Sequence, residues 1–150
     1  MQDHQKHTVF VSGVVPAPID QVWSLLRDFN ALSQWHPGIA ASRLEDEGRG
    51  DALGSVRYLD LNGGGFVRER LLALDDPGFT LRYSIIETSL PMRNYVAGVR
   101  LAPITLDQAT LFTWWADFNV AEGADLAGVA QAVGENVFAT GIRAMAERLR

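Results

Sequence analysis

Residues 54–76, GSVRYLDLNGGGFVRERLLALDD, narrow the possible fold more than any other stretch of the chain. The middle, Asn62-Gly63-Gly64-Gly65, reads as a hairpin tip, because glycine takes the positive φ angles that tight turns between strands require. A hairpin centred near Gly63 sets Arg57 opposite Glu69, Leu59 opposite Val67 and Leu61 opposite Gly65. Alternate side chains of a strand share a face, so these positions make one face, apolar except for an arginine and a carboxylate. Two readings of that pair stand side by side. It is a cross-strand ion pair that pins register, or it is the polar floor of a cavity that anchors a carbonyl, hydroxyl or carboxylate. A dry burial makes the first a poor stabiliser, since desolvation can exceed the Coulomb gain.

The flanking sequence extends the sheet. Residues 8–15 (TVFVSGVV) are β-branched and read as a first strand, stopped by Pro16-Ala17-Pro18, with Pro18 at the first position of a helix. Ile19, Val22, Trp23 and Leu26 then share one helical face, and a second short helix over 31–35 ends before Pro37-Gly38. Strands are expected over 39–47, twice within the hairpin, over 79–86, 94–103 and 109–120, with residues 87–93 as a loop. One long helix runs from about residue 125, with Leu126, Ala130, Val133, Val137 and Leu149 on a broadly apolar side. Its glycines Gly128, Gly134 and Gly141 each cost about 1 kcal/mol relative to alanine, which points to close packing or to room for a ligand. The order β-α-α-β6-α implies an α+β fold: a curved antiparallel sheet of seven strands with the terminal helix on its only large apolar face.

At 150 residues the chain suffices for one domain, expected over 8–150 after a loose tail at 1–7. Its net charge of −5 argues against a nucleic-acid backbone or an anionic membrane as partner. The absence of cysteine removes disulfides, thiolate catalysis and Cys-ligated metals. No apolar run approaches the ~20 residues of a membrane span, and the polar start is unlike a signal peptide, so a cytoplasmic location is the default expectation. No nucleophile elbow, H-E-x-x-H or dinucleotide fingerprint is present. With His4 and His7 in the tail, no metal site is expected, and no cofactor.

Several motifs, taken together and in order, carry a resemblance. They are Val22-Trp23, Asp28-Phe29 with Trp35-His36-Pro37, Gly54-x-x-Arg57, and Glu69-Arg70-Leu71 followed by Leu74-Asp75-Asp76. Tyr83-Ser84-Ile85-Ile86, Leu90-Pro91, Asn94-Tyr95 and the run from Trp114 to Phe118 complete the set. The chain resembles the START-like (SRPBCC, birch-pollen-allergen or helix-grip) superfamily over residues 8–150. Within it, it resembles the polyketide cyclase/dehydratase and lipid-transport family, and the order and spacing are also similar to plant abscisic acid receptors. The resemblance implies a sheet wrapped round the terminal helix and a cavity between them, its mouth formed by the loops at 61–65 and 87–93. Matching positions imply a lining of His36, Arg57, Leu59, Leu61, Val67, Glu69, Tyr83, Ile85, Leu90, Tyr95, Ala97, Trp114, Ala116, Val133 and Asn136. The receptors carry a lysine where His36 falls; here the only lysine is Lys6, so a carboxylate ligand anchored by an ammonium group departs from this sequence.

Binding of a small hydrophobic or aromatic molecule, lipid- or polyketide-like, is the leading expectation. A cyclase or aromatase using Arg57, Glu69 and His36 is the alternative, and a ligand-gated protein-interaction module is a third. His36 itself has two readings, a helix-end hydrogen-bonder or a proton donor and acceptor near neutral pH. Tyr83 and Tyr95 are expected as cavity walls. Strand parity turns Trp114 inward and Trp115 outward, where an exposed ring would mark a partner surface. Monomer and homodimer both stay open.

Overall fold

The computed structural model describes residues 6–150. The strands are β1 (Val9–Val15), β2 (Ile39–Leu44), β3 (Val56–Leu61), β4 (Phe66–Asp75), β5 (Thr80–Thr88), β6 (Met92–Ile104) and β7 (Ala109–Val120). Helices α1 (Ile19–Leu26) and α2 (Leu32–Trp35) fill the crossover from β1 to β2. The seven strands form one antiparallel sheet in the order β1-β7-β6-β5-β4-β3-β2, as the β-α-α-β6-α pattern requires. The chain ends in α3 (Leu126–Ala132), a π-helical stretch Val133–Ala139 and α4 (Thr140–Arg148), which together form one uninterrupted helix.

The opening hairpin pairs as its glycine tip demands. Arg57 faces Glu69 and Leu59 faces Val67, and the Leu61 amide donates to the Gly65 carbonyl at 3.0 Å. Gly63, Gly64 and Gly65 all have φ between 88° and 103°, a run that residues with a side chain rarely adopt.

Boundaries differ from the sequence expectation where backbone geometry overrides pattern. β2 stops at Leu44, before residue 47, because Asp46 and Glu47 turn to φ of 53° and 56° and leave the extended region. β5 and β6 run further than expected, so the loop at 87–93 shrinks to the residues between Thr88 and Met92. Arg68, paired with Glu87 across the ladder and salt-bridged to it at 2.7 Å, holds the added end of β5. Pro18 is the N-cap of α1, one position earlier than expected. Leu126 is 47% exposed, so the apolar side of the terminal helix starts beyond its first turn.

Two bulges open the sheet near the β5–β6 turn. Opposite Arg68 and Glu69, the β5 partners are Glu87 and Ile85, which leaves Ile86 as an extra residue. In β6, Asn94 takes φ 56° where the register with β7 slips between Arg93 and Val96. Pairing of β5 with β6 ends at Ser84 and Val96, and beyond it each strand stays bonded only to its outer neighbour. Bulges bend strands, and the sheet curls here round the terminal helix.

The core lies between the concave face and that helix. Trp114 stacks on Phe138 with ring centroids 4.5 Å apart and planes at 14°, and it contacts the rings of Trp35 and Phe112 at 6.1 and 5.8 Å. Gly141 permits the approach: a Cβ there would stand 2.7 Å from His36 Cδ2 and 2.9 Å from Trp114 Cζ3. Gly134 faces Val9 at 3.3 Å on the same criterion, so close packing of the helix accounts for both glycines. On the convex face Trp115 is only half-buried, but its ring is flattened over Gly98 and flanked by His7 and Arg100. It covers the sheet instead of standing free as a partner surface. His7, placed in the tail by sequence, accordingly packs on the domain, with Nδ1 2.9 Å from Asp117 Oδ2; residues 1–5 of that expected tail lie outside the described residues.

Candidate functional site

A cavity of about 460 Å³ lies between the concave face of the sheet and the terminal helix. β3, β4 and β5 contribute Leu59, Leu61, Val67, Glu69, Tyr83 and Ile85, because these positions share the inward parity of the curled strands. Tyr95 and Trp114 come from β6 and β7, and His36 from the end of α2. Leu90 comes from the β5–β6 turn, and Val133 and Asn136 from the helix. The structure therefore brings together twelve of the residues chosen from sequence.

Three others do not reach the cavity. Ala97 and Ala116 pair with each other in the inward-facing register and are fully buried, but a methyl group is too short to rise past the neighbouring rings of Tyr83, Tyr95 and Trp114. Arg57 turns away beneath the floor. Its Nε donates to Glu69 Oε1 at 2.8 Å, one terminal nitrogen lies 2.6 Å from the same oxygen, and the other donates to the Phe29 carbonyl at 2.8 Å. The guanidinium carbon sits 3.8 Å from the centre of the Phe29 ring and 5.1 Å from that of Tyr83. Register pin and cavity floor thus coexist: Arg57 is the buried post and Glu69 the face it presents.

On the sheet side Glu69, Tyr83 and Tyr95 form a polar seam, and Asn136 adds an amide from the helix. Burial pushes the Glu69 carboxyl up from the usual carboxylate range, and the charge and hydrogen bond of Arg57 pull it back. An arginine does not deprotonate, so a neutral Glu69 would leave a buried guanidinium uncompensated. The pair is read as ionised. Trp114 Nε1–H donates to the Tyr83 hydroxyl at 2.9 Å, and the rings of Tyr83 and Tyr95 lie side by side with centroids 6.5 Å apart. Burial raises both phenols well above their ordinary range, so they stay protonated in water at any ordinary pH.

His36 is part of the wall, yet its polar atoms belong to the fold. The Gly38 amide donates to Nδ1 at 3.0 Å, which makes Nε2 the protonated nitrogen; Nε2 donates to the Val137 carbonyl at 2.7 Å. Burial, with a smaller contribution from the charge of Arg57, lowers its pKa from 6.5, so the ring is neutral. Of its two sequence readings, the geometry matches the hydrogen-bonder at a helix end.

Two loops border the opening, contributing Leu61, Asn62 and Gly64 on one side and Leu90, Pro91 and Met92 on the other. They are tied together. The Phe66 amide donates to Ser89 Oγ at 3.0 Å and the Ser89 amide to the Phe66 carbonyl at 3.2 Å. The Asn62 amide donates to the Gly38 carbonyl at 2.9 Å, and its side chain donates to the Pro37 carbonyl. On the convex side of the β5–β6 split lies an outer cleft of about 440 Å³, which shares Ile85, Leu90, Pro91, Met92 and Tyr95 with the cavity as a common wall.

The sequence profile of the family described as polyketide cyclase / dehydrase and lipid transport matches residues 6–150. The chain belongs to this family. Solved structures agree with it in fold. The protein XoxI from Bacillus cereus is similar at 26% identity over 94% of both chains, with a TM-score of 0.82. A protein from Thermobifida fusca is similar at 30% identity over 94% of this chain and 91% of its own, with a TM-score of 0.81. A START superfamily protein from Mycobacterium smegmatis shares the fold at 18% identity and a TM-score of 0.79, over 94% of this chain and 95% of its own.

For this member of the cyclase and lipid-transport family, sequence reasoning missed part of the lining. Leu32, Gly38 and Ile39 enter from α2 and the start of β2, and Pro91 and Met92 from the turn that proved shorter than expected. Val129, Ala132 and Val137 join Val133 and Asn136 on the helix. Their spacing of i, i+3, i+4, i+7 and i+8 is a helical face, and that signal was available in the sequence. Among the described residues no cluster of histidines and carboxylates is arranged to hold a metal, and no helix is long and apolar enough to cross a membrane.

Proposed function

We propose that the protein binds a small, predominantly apolar molecule in the cavity under the terminal helix. Family and fold are consistent with hydrophobic ligand binding. The observation that carries the reading is the distribution of chemistry over one cavity of about 460 Å³. Leucine, isoleucine, valine and tryptophan, with Pro91, Met92 and Ala132, make most of the wall, and Glu69, Tyr83 and Tyr95 are gathered on one sheet-borne patch. That is the pattern of a site driven by apolar burial and oriented by a few polar groups.

The cyclase reading asks for groups that move protons or polarise carbonyls. Of the three candidates for that work, the donors of Arg57 and the nitrogens of His36 are already spent within the protein, and only Glu69 meets the cavity with an oxygen to spare. Binding or transport is therefore the reading we place first.

Two measurements test it. Native mass spectrometry of gently purified protein should retain a small molecule, and the neutral probe N-phenyl-1-naphthylamine should brighten on uptake. Ala132, exposed on the helix yet lining the cavity, gives a control: Ala132→Trp should block uptake while leaving the melting temperature nearly unchanged. Uptake that is absent in the wild type, or unaltered in Ala132→Trp, sinks the reading.

A further inference from the structure

The cavity has a charged floor whose sign is set by which member of the ion pair faces inward. Glu69 lines the cavity and Arg57 does not. Arg57 grips Oε1 with two nitrogens and spends a third on the Phe29 carbonyl. A carboxylate offers about four lone-pair sites over two oxygens, so Oε2 is the one left for a partner in the cavity. Among the described residues the one basic group in the wall is His36, which is neutral and has both nitrogens bonded. Beside Glu69 stand the neutral hydroxyls of Tyr83, which accepts from Trp114, and of Tyr95, and Asn136 adds a neutral amide from the helix.

We infer that the cavity selects a neutral apolar ligand carrying a hydrogen-bond donor, an alcohol or phenol, which gives its O–H to Glu69, and that it rejects ligands ending in a carboxylate. This rests on the cavity reading above and adds the polarity of the ligand's reactive end. A carboxylate entering from the mouth meets the Glu69 oxygen before it can approach the guanidinium behind it. To reach Arg57 it would have to displace Glu69 from two contacts and leave that charge buried without a partner. A hydroxyl does the reverse: it adds a charge-assisted hydrogen bond to an acceptor already held in place by Arg57. The protein's net charge of −5 opposes entry of anions in the same sense.

Three probes of one skeleton separate these terms: naphthalene, 2-naphthol and 2-naphthoate, titrated against the wild-type protein at neutral pH and followed by tryptophan fluorescence. We expect 2-naphthol to bind at least about tenfold more tightly than either of the others, the size of one charge-assisted hydrogen bond. Equal binding of naphthol and naphthalene, or binding of naphthoate as tight as that of naphthol, overturns the inference and leaves the cavity reading intact. Failure of all three to bind overturns both. Because Glu69→Gln strands a buried arginine, the variant of choice is the double replacement Arg57→Met/Glu69→Met, which keeps volume and removes both charges. There the naphthol advantage over naphthalene should fall to within about twofold, the loss of that one bond; an advantage that persists places the donor contact elsewhere and overturns the inference.

Discussion

His36 Nε2 donates to the carbonyl of Val137, 2.7 Å away and 101 residues further along the chain, and so ties the end of α2 to the π-helical stretch Val133–Ala139. The other nitrogen accepts from Gly38 and shapes the turn that feeds β2. Replacing the ring by alanine leaves the part-buried Gly38 amide without a partner and takes one of two donors from the Val137 carbonyl, which keeps the Thr140 amide. His36→Ala should cost about 1–3 kcal/mol in chemical denaturation, the range expected for one orphaned group. The burial of the ring makes stability depend on pH. Burial holds the folded imidazole below 6.5, so the unfolded chain binds the proton first as the solution is acidified. The contribution of His36 is complete above pH 6.5 and is lost as pH falls through the lower folded value. Unfolding midpoints measured from pH 8 downward should show this decline, and His36→Gln should flatten it.

Arg57 and Glu69 make a contrast between breaking a pair and removing it. Either single replacement by alanine strands a charge in a site where both side chains are less than 10% exposed. A cost of about 3–5 kcal/mol is expected for Arg57→Ala or Glu69→Ala, against a change close to zero for Arg57→Met/Glu69→Met. Urea denaturation of the three variants decides the matter. A double variant as unstable as the singles would mean that the pair contributes specific stability beyond its own neutralisation, and the contact of Arg57 with the Phe29 carbonyl and ring would be the place to look.

The mouth loops give a prediction about opening. Gly65 has φ 99°, and a Cβ there would lie 2.8 Å from Ser89 Oγ, the atom that receives the Phe66 amide. Gly65→Ala therefore strains the tip and pushes Ser89 away, whereas Ser89→Ala removes the side-chain half of the tie without strain and keeps the Ser89 amide on the Phe66 carbonyl. Both should speed association and dissociation of an apolar probe in stopped-flow fluorescence. Gly65→Ala alone should also lower stability, by roughly 1 kcal/mol or more. Unchanged rates in Ser89→Ala would show that the loops do not control access.

These residues also mark how far the sequence could be read. The hairpin register was legible because three glycines locate the turn, and parity then assigns the side chains of β3 and of β4 as far as Leu71, where a register shift breaks the alternation, to a face. The same parity separated Trp114 from Trp115. Parity yields a face, however, and says nothing of reach. Arg57, Ala97 and Ala116 share the inward face but miss the cavity, one because its long side chain folds back to Phe29 and two because theirs are too short. The π-helical stretch was illegible for another reason: its partner, His36, is remote in sequence, and no local pattern encodes the bond. The bulges at Ile86 and Asn94 likewise come from competition between neighbouring ladders, which shortened the expected loop.

The final prediction separates two glycines of the terminal helix that look alike in sequence. Alanine at either position gains helix propensity of about 1 kcal/mol, so the sign of the change depends on what the new methyl group meets. At Gly134 the nearest atom is a Val9 methyl at 3.3 Å, a small adjustment for a strand-borne side chain. At Gly141 the methyl group meets His36 Cδ2 at 2.7 Å and Trp114 Cζ3 at 2.9 Å. Neither ring can yield cheaply: His36 is held by Val137 and Gly38, and Trp114 by its bond to Tyr83 and its stack on Phe138. Overpacking of this kind costs about 1–3 kcal/mol or more, which outweighs the propensity gain. Gly134→Ala should be neutral or slightly stabilising in thermal denaturation, and Gly141→Ala should lower the midpoint. Because the displaced rings are also cavity walls, Gly141→Ala should weaken uptake of N-phenyl-1-naphthylamine, while Gly134→Ala leaves it unchanged. Equal behaviour of the two variants would mean that the helix shifts as a body to absorb the methyl group, and that the contact between α4, His36 and Trp114 is looser than its distances imply.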